Sequence, residues 1–254
     1  RDCLLSRGLG DVYKRQNNHY PNFQQAMRNN PTRSPYDPDS ETGYNVWINE
    51  SLDYNVVADA MLEDYYGLDK WFEPEVNLKL NIKPIPGLNY QQVVGYENRQ
   101  WELHQYWPST HRSEIDNSRK GHAHLAFSKT ENLTSEGYFS YVKDFKGGHN
   151  LNATAGYSYF EVNGENFGMD NYNFSVDGIK YWDIGQGSYL TDGKAGMSSG
   201  KSVTERLFSF FARANYSYQD KYMLSASIRH EGSSKFAADN RWANFWSATA
   251  GWRI

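Results

Sequence analysis

The sequence predicts an all-β chain: an antiparallel up-and-down sheet of about seven strands with long loops at one end, the pattern of a transmembrane β-barrel segment. Three observations predict it. Apolar and polar residues alternate with period two in run after run, so each strand has one greasy and one wet face. Short turns fall at one end of the sheet and long connections at the other. The chain also carries 20 Tyr, 13 Phe and 8 Trp, yet no run of about 18 apolar residues that could cross a bilayer as a helix. A barrel strand needs only about 9–11 alternating residues, so that lack does not count against a membrane.

In chain order, residues 1–16 (Arg1-Asp2-Cys3-Leu4-Leu5-Ser6 through Lys14-Arg15-Gln16) read as translated adaptor sequence and are set apart from the fold. They hold Cys3, the only cysteine, so no disulfide or thiolate metal site is available to residues 17–254. Asn17 to about Lys70 reads as one long loop, with Pro21, Pro31, Pro35 and Pro38 among Asn, Asp and Ser. Short helical turns are expected at Phe23–Arg28 and Val56–Asp64. Strand pattern then begins with Val76, Leu78, Leu80 and Ile82, turns at Pro84-Ile85-Pro86-Gly87, and returns with Leu88, Tyr90, Val94 and Tyr96. Residues 98–130 read as polar and irregular.

The next pair is Leu133, Gly137, Phe139 and Tyr141, then Leu151, Ala153, Ala155, Tyr157 and Tyr159, joined by a turn at Asp144–Gly148. A second excursion, rich in Gly, Asn, Asp and Ser, is expected over 161–204. The clearest meander closes the chain: Phe208, Phe210, Ala212, Ala214 and Tyr216; then Tyr222, Leu224, Ala226 and Ile228; then Ala248, Ala250 and Trp252. In a barrel, Leu78, Leu80, Phe210, Ala212, Leu224, Ala226 and Trp252 would face lipid, and Arg213 and Arg229 the lumen. Tyr96, Tyr157, Tyr159, Tyr216, Tyr222, Trp246 and Trp252 sit near strand ends, where interfacial girdles form. About seven strands are fewer than the roughly eight of the smallest such barrels, so the pattern predicts a piece of a larger one.

Several motifs carry a resemblance. Asn215-Tyr216-Ser217-Tyr218, Glu231-Gly232-Ser233-Ser234-Lys235-Phe236, Asn240-Arg241-Trp242 and Gly251-Trp252-Arg253-Ile254 occur in that order. Upstream stand Gln25-Ala26-Met27-Arg28-Asn29-Asn30-Pro31-Thr32, His149-Asn150-Leu151 and Gly156-Tyr157-Ser158-Tyr159. Together they resemble the SusC/RagA family of TonB-linked outer-membrane transporters over about residues 17–254. Ala212 stands where a glycine is usual there, and Trp246 where a proline is usual. The resemblance implies a barrel of about 22 strands with an N-terminal plug. On that reading 17–70 is an extracellular loop and 71–254 are strands and loops of a partial receptor barrel in the outer membrane of a Gram-negative bacterium. The implied partners are a SusD-like surface lipoprotein, the TonB complex (through a plug region not contained in this chain), outer-membrane lipid, and an oligosaccharide or peptide ligand.

Candidate chemistry is sparse. Gly121-His122-Ala123-His124 with His104 and His111 lacks a metal-ligand spacing, and no metal or cofactor is expected. Glu63, Asp64 and Glu114 follow no catalytic motif, so no enzyme is expected. Trp101, Tyr106, Trp107, Tyr181 and Trp182 fall in the long connections and are candidates to stack on a ligand, or to pack the loops and meet a partner protein. The net charge of −4 argues against nucleic acid. Rival readings are a soluble β-rich carbohydrate-binding module and a non-transporting adhesion barrel.

Overall fold

The computed structural model describes residues 4–6, 12–15, 32–45 and 54–253. Its strands are β1 (Leu4–Ser6), β2 (Val12–Arg15), β3 (Asp64–Phe72), β4 (Glu75–Asn81), β5 (Leu88–Trp107), β6 (His122–Phe145), β7 (His149–Tyr172), β8 (Gly196–Lys201), β9 (Glu205–Tyr218), β10 (Tyr222–Ser233) and β11 (Trp242–Trp252). Two short helices, α1 (Val56–Leu62) and α2 (Arg112–Asp116), precede β3 and join β5 to β6. The turn expected at Val56–Asp64 is α1; the one expected at Phe23–Arg28 lies outside the described residues.

All strands join one sheet whose pairings are antiparallel, in the order β4-β5-β6-β7-β9-β10-β11. Two of its strands are broken in the middle. β3 and β4 follow β5 in one unbroken register, Phe72 opposite Asn98 and Glu75 opposite Gly95. The gap is Glu73-Pro74, where proline has no N–H for the ladder, although its carbonyl still accepts from Tyr96 N–H at 3.0 Å. β8 and β9 likewise follow β7. Glu165 faces Lys201 and Val162 faces Glu205, so three steps on β7 are matched by four on its partner, a bulge. Counting each broken pair as one gives the seven strands that the alternation predicts. β1 and β2 pair on the open side of β4 and β3.

Strand lengths depart from the sequence reading. β5 runs 20 residues and β6 and β7 run 24 each, so most of the expected irregular stretches at 98–130 and 161–204 are strand. Likewise β3 starts at Asp64, inside the expected loop. At about 3.4 Å per residue the longest strands reach about 80 Å. Toward the loop end neither face stays consistently apolar, and the alternation loses its hydrophobic trace while the hydrogen-bond ladder continues. The short turns do cluster at the other end. Gln219 and Asp220 have φ of 52° and 53°, a two-residue turn whose twist matches the hairpin. Gly147 and Gly148, at 89° and 80°, take the same left-handed region in the turn before β7.

Register assigns every side chain to a face. Leu80, Tyr90, Phe139, Ala155, Ala212, Ile228 and Trp246 are successive partners from β4 to β11. Rows containing Leu78 with Phe210, Leu224, Ala226, and Trp252 lie on the same face, and Arg213 and Arg229 lie on the other. Leu80 is 61% exposed and Leu224 53%, so none of the described residues covers them. Aromatic rows bound it. At the turn end Trp252, Tyr222, Tyr218 and His149 stand ring beside ring. Toward the loop end Trp242, Phe208 and Tyr159 do the same. On β11, Trp242 and Trp252 are ten residues apart. With a tilt of about 45°, that is about 24 Å along the barrel axis, close to the roughly 25 Å apolar band of an outer-membrane barrel. In the full-length protein, Leu224→Arg should cost roughly 2–4 kcal/mol in denaturant titration in lipid. Ser225→Arg, on the opposite face, should cost much less; equal costs would mean the faces are misassigned.

Candidate functional site

Beyond the outer aromatic row, β3, β5, β6, β7 and β8 form a wall whose upper end is covered on both faces by the chain's own loops. On the face opposite Leu224, α1 and α2 enclose a cavity. Asn55, 3% exposed, anchors α1. Its side-chain oxygen accepts from the amides of Val57 and Ala58 and caps α1, while its Nδ2 donates to the carbonyls of Pro35 (2.7 Å) and Asn45 (2.9 Å). This fastens residues 32–45 to the helix. From α1, Asp59 approaches His111 at 3.4 Å and Arg112 at 3.9 Å. His111 caps α2 by accepting from Ser113 N–H.

Glu114 of α2 is fully buried. It accepts two bonds from the Arg119 guanidinium, at 2.8 and 2.9 Å, and one from Ser113 Oγ. Arg119 in turn lies 4.6 Å over the Tyr172 ring. The wall contributes a stack in which the His122 ring sits between Trp107 (4.6 Å) and Tyr172 (4.2 Å). Strand spacing puts His122 and His124 on one face, and register brings Asp170 opposite His124. Both imidazoles meet the same carboxylate oxygen at 2.8 Å. The cavity holds about 310 Å³ between Tyr54, Asp59, Glu63, Trp107, Arg112 and His122.

On the other face the chain from 173 to 195 folds back onto the wall. Phe174 and Tyr181 are buried against Tyr106 and Ala123. Asp177 accepts from Tyr106 Oη (2.6 Å), Ser109 N–H (3.0 Å) and Ser109 Oγ (2.6 Å), and Lys180 pairs with Asp64 at 2.6 Å. Burial, then the bond to Asp177, push the Tyr106 hydroxyl well above its ordinary range, so it stays a donor.

The five aromatics expected in loops are distributed differently. Trp101, Tyr106 and Trp107 belong to β5, because the ladder outlasts the apolar alternation that marked its start. Trp101 and Trp107 share the cavity face and are half-buried, whereas Tyr106 (2% exposed) and Tyr181 (8%) are closed into the packing on the other side. Trp182, 75% exposed, projects from the folded-back loop. Of the lumen candidates, Arg229 pairs with Glu231 and Arg213 is exposed. The histidines do not converge: His104 packs beside Tyr66 and Tyr181 on the opposite face from His122, and His111 is a helix cap. Among the described residues, no group of three or more His, Cys, Asp or Glu is arranged to hold a metal. Glu114 stood out in the sequence only as a carboxylate outside any catalytic motif, and Asp170 and Asp177 were not singled out. A His-x-His pair hints at a shared face, but its carboxylate lies 46 residues away.

A lipid-width apolar band under a wall whose upper end is clothed on both faces defines a strand segment of a transmembrane β-barrel with a long structured crown. No family model matches the sequence. Among curated proteins it is 31% identical over 170 residues to TonB-dependent receptor P3 of Formosa agariphila, covering 67% of this chain and 16% of that protein. TonB-dependent receptor P39 of the same organism is 29% identical over 182 residues, 69% of this chain and 16% of the relative. TonB-dependent receptor SusC of Bacteroides thetaiotaomicron is 38% identical over 63 residues, 25% of this chain and 6% of that protein. The RagAB peptide transporter structure superposes with a TM-score of 0.69 at 19% identity, over 85% of this chain and 24% of the matched one. The chain belongs to the SusC/RagA family of TonB-dependent receptors. It spans about a sixth of the length of the first two relatives.

Two predictions concern the crown. Tyr106→Phe should loosen the folded-back loop by about 1–3 kcal/mol, read as faster hydrogen exchange across 173–190 with little change in β9–β11. Burial, opposed by Asp170 and Glu114 and aided by Arg119, lowers the His122 pKa below its ordinary 6.5. The folded site therefore binds this proton more weakly than the opened chain. The contribution is complete above about pH 6.5 and is lost as pH falls below it. Between about pH 7.5 and 5.5, wild-type melting temperature should drop further than that of His122→Asn.

Proposed function

We propose that this chain is part of the barrel of an outer-membrane importer, with the crown facing outside the cell and the short turns facing the periplasm. The observation that carries the reading is the separation of the two aromatic rows by a bilayer's apolar thickness on an uncovered face, in a member of a TonB-dependent receptor family. The whole protein would work with a SusD-like surface lipoprotein and the TonB complex, taking up oligosaccharides or peptides without breaking bonds. The name of the RagAB peptide transporter makes peptides one class to test. Trp101 and Trp107 on the inward face and Trp182 at the crown would meet ligand or lipoprotein, a reading supported by their partial or full exposure. Tyr106 and Tyr181 serve by holding the wall they are built into. Leu78, Leu80, Phe210, Ala212, Leu224, Ala226 and Trp252 meet lipid, and Arg213 and Arg229 line the lumen.

The test is genetic. The full-length gene should restore growth of a deletion strain on an oligosaccharide or peptide source, and only when TonB is functional. Growth that does not depend on TonB would overturn the importer reading. Trp107→Ala should weaken ligand binding by about tenfold, as lost stacking predicts.

A further inference from the structure

β8 is the barest strand of the wall. Every residue from Met197 to Lys201 is exposed, and among the described residues β8 pairs with β7 alone. Ser202 N–H donates to the carbonyl of Gly164 at 2.8 Å, the next step of the β7–β8 register. That bond fixes the phase of the ladder, because in an antiparallel pair only every second residue bonds its opposite number. Gly196, Ser198 and Gly200 therefore turn N–H and C=O toward β7, and Met197, Ser199 and Lys201 turn theirs away. Among the described residues, no backbone bond meets these three.

The space beside this edge is open because the neighbouring hairpin is short. β9 stands in line below β8, and Ser234, just past the end of β10, donates its N–H to the Arg206 carbonyl (2.9 Å) near the top of β9. The connection from Ser234 to Arg241 thus floors a slot two strand spacings wide, about 10 Å, with β8 as its side wall. In a complete barrel, a strand following β11 would stand three spacings, about 14 Å, from β8, too far to pair with it. The loops that cover the wall lie elsewhere, 173–195 against Tyr106 and Ala123, and α1 and α2 over Trp107 and His122. β8 faces Glu165 to Asp170, six to eleven residues beyond Tyr159 of the outer aromatic row. With the strand tilt used above, the slot lies about 14–26 Å past the apolar band, clear of lipid.

We propose that an extended segment of the surface lipoprotein enters this slot from outside the cell and pairs with β8 as an added strand. The edge presents amide donors and carbonyl acceptors at strand spacing, which an extended polypeptide matches and a sugar or a lipid does not. A strand with one ladder and no buried side chain gains most from a second ladder. Gly196, Ser198, Ser199 and Gly200 leave its backbone open to close approach. Met197, 76% exposed on the outward face, calls for an apolar residue beside it on the added strand. A segment of the receptor's own chain would have to cross over the β10–β11 connection to reach the same edge. This rests on the reading that a surface lipoprotein sits on the crown.

The experiment compares the full-length receptor alone with its lipoprotein complex, both in mild detergent, by hydrogen exchange resolved to single amides. In both samples the amides of Ser198, Gly200 and Ser202 should be protected by β7. Those of Met197, Ser199 and Lys201 should exchange freely in the receptor alone and about tenfold more slowly, or slower still, in the complex. Ser199→Pro removes an edge N–H that β7 does not use, and should weaken lipoprotein binding about tenfold. Ser199→Ala keeps that N–H and should bind like wild type. A heat-modifiable gel shift shows that each variant is folded. Protection of Met197, Ser199 and Lys201 in the receptor alone would mean that its own chain fills the slot, and would overturn the proposal. A complex in which they still exchange freely, or wild-type binding by Ser199→Pro, would overturn it too while leaving the partner reading intact. Failure to form any complex with a surface lipoprotein would overturn the partner reading, and this inference with it.

Discussion

The unbroken antiparallel register through β5, β6 and β7 is the constraint on which the rest of this structure depends. Leu88 to Trp107 pairs with Tyr141 to His122 without a slip, and His122 to Phe145 pairs with Tyr172 to His149. A slip of one residue would exchange the two faces along the whole length. Because none occurs, the face that presents Phe139 and Ala155 low on the sheet is also the face that presents Lys129 and Glu165 higher up, and then Tyr106 and Ala123 at the top. Neighbouring strands can be broken, as β3/β4 and β8/β9 are, without loss of facing, because each half is re-registered on a continuous partner.

Along that one face the chain meets three surroundings and answers each with different chemistry. The lowest part leaves aliphatic and aromatic side chains uncovered, stable only if something apolar surrounds them. The middle part pins carboxylates with tyrosine hydroxyls and guanidinium groups. The top is closed by the chain itself: Phe174 and Tyr181 bury the outward side, and α1 and α2 shelter the inward side. A single sheet cannot keep both faces dry in water unless something packs on each. The long connections supply that packing.

How much could be read beforehand follows from this change of surroundings. Where the strands have one apolar and one polar face, alternation is sharp, and the strands from Val76 onward, their turns and their faces were legible. Above the outer aromatic row neither face is consistently apolar, so period two leaves no hydrophobic trace, and β5–β7 seemed to end about ten residues early. Trp101, Tyr106 and Trp107 were thereby misplaced in a loop. The crown's polar framework was illegible for a different reason. Glu114, Asp170 and Asp177 act through partners that only register or loop folding brings near, as Asp177 does with Tyr106, 71 residues away. By contrast, α1 was expected, as a short helical turn at Val56–Asp64.

The unbroken strands also mean that one stretch of chain is written under two opposed rules. On β6, Tyr141 and Lys129 point the same way, twelve residues apart. At the first position a lysine would be stranded in hydrocarbon; at the second, lysine is the native residue. Tolerance to substitution should therefore invert partway along a strand whose backbone never changes. A sequence drifting by exchange of outward residues would be held tightly below that boundary and loosely above it. Diversity among such proteins can then accumulate on the upper half of the same strands that anchor the lower half in lipid.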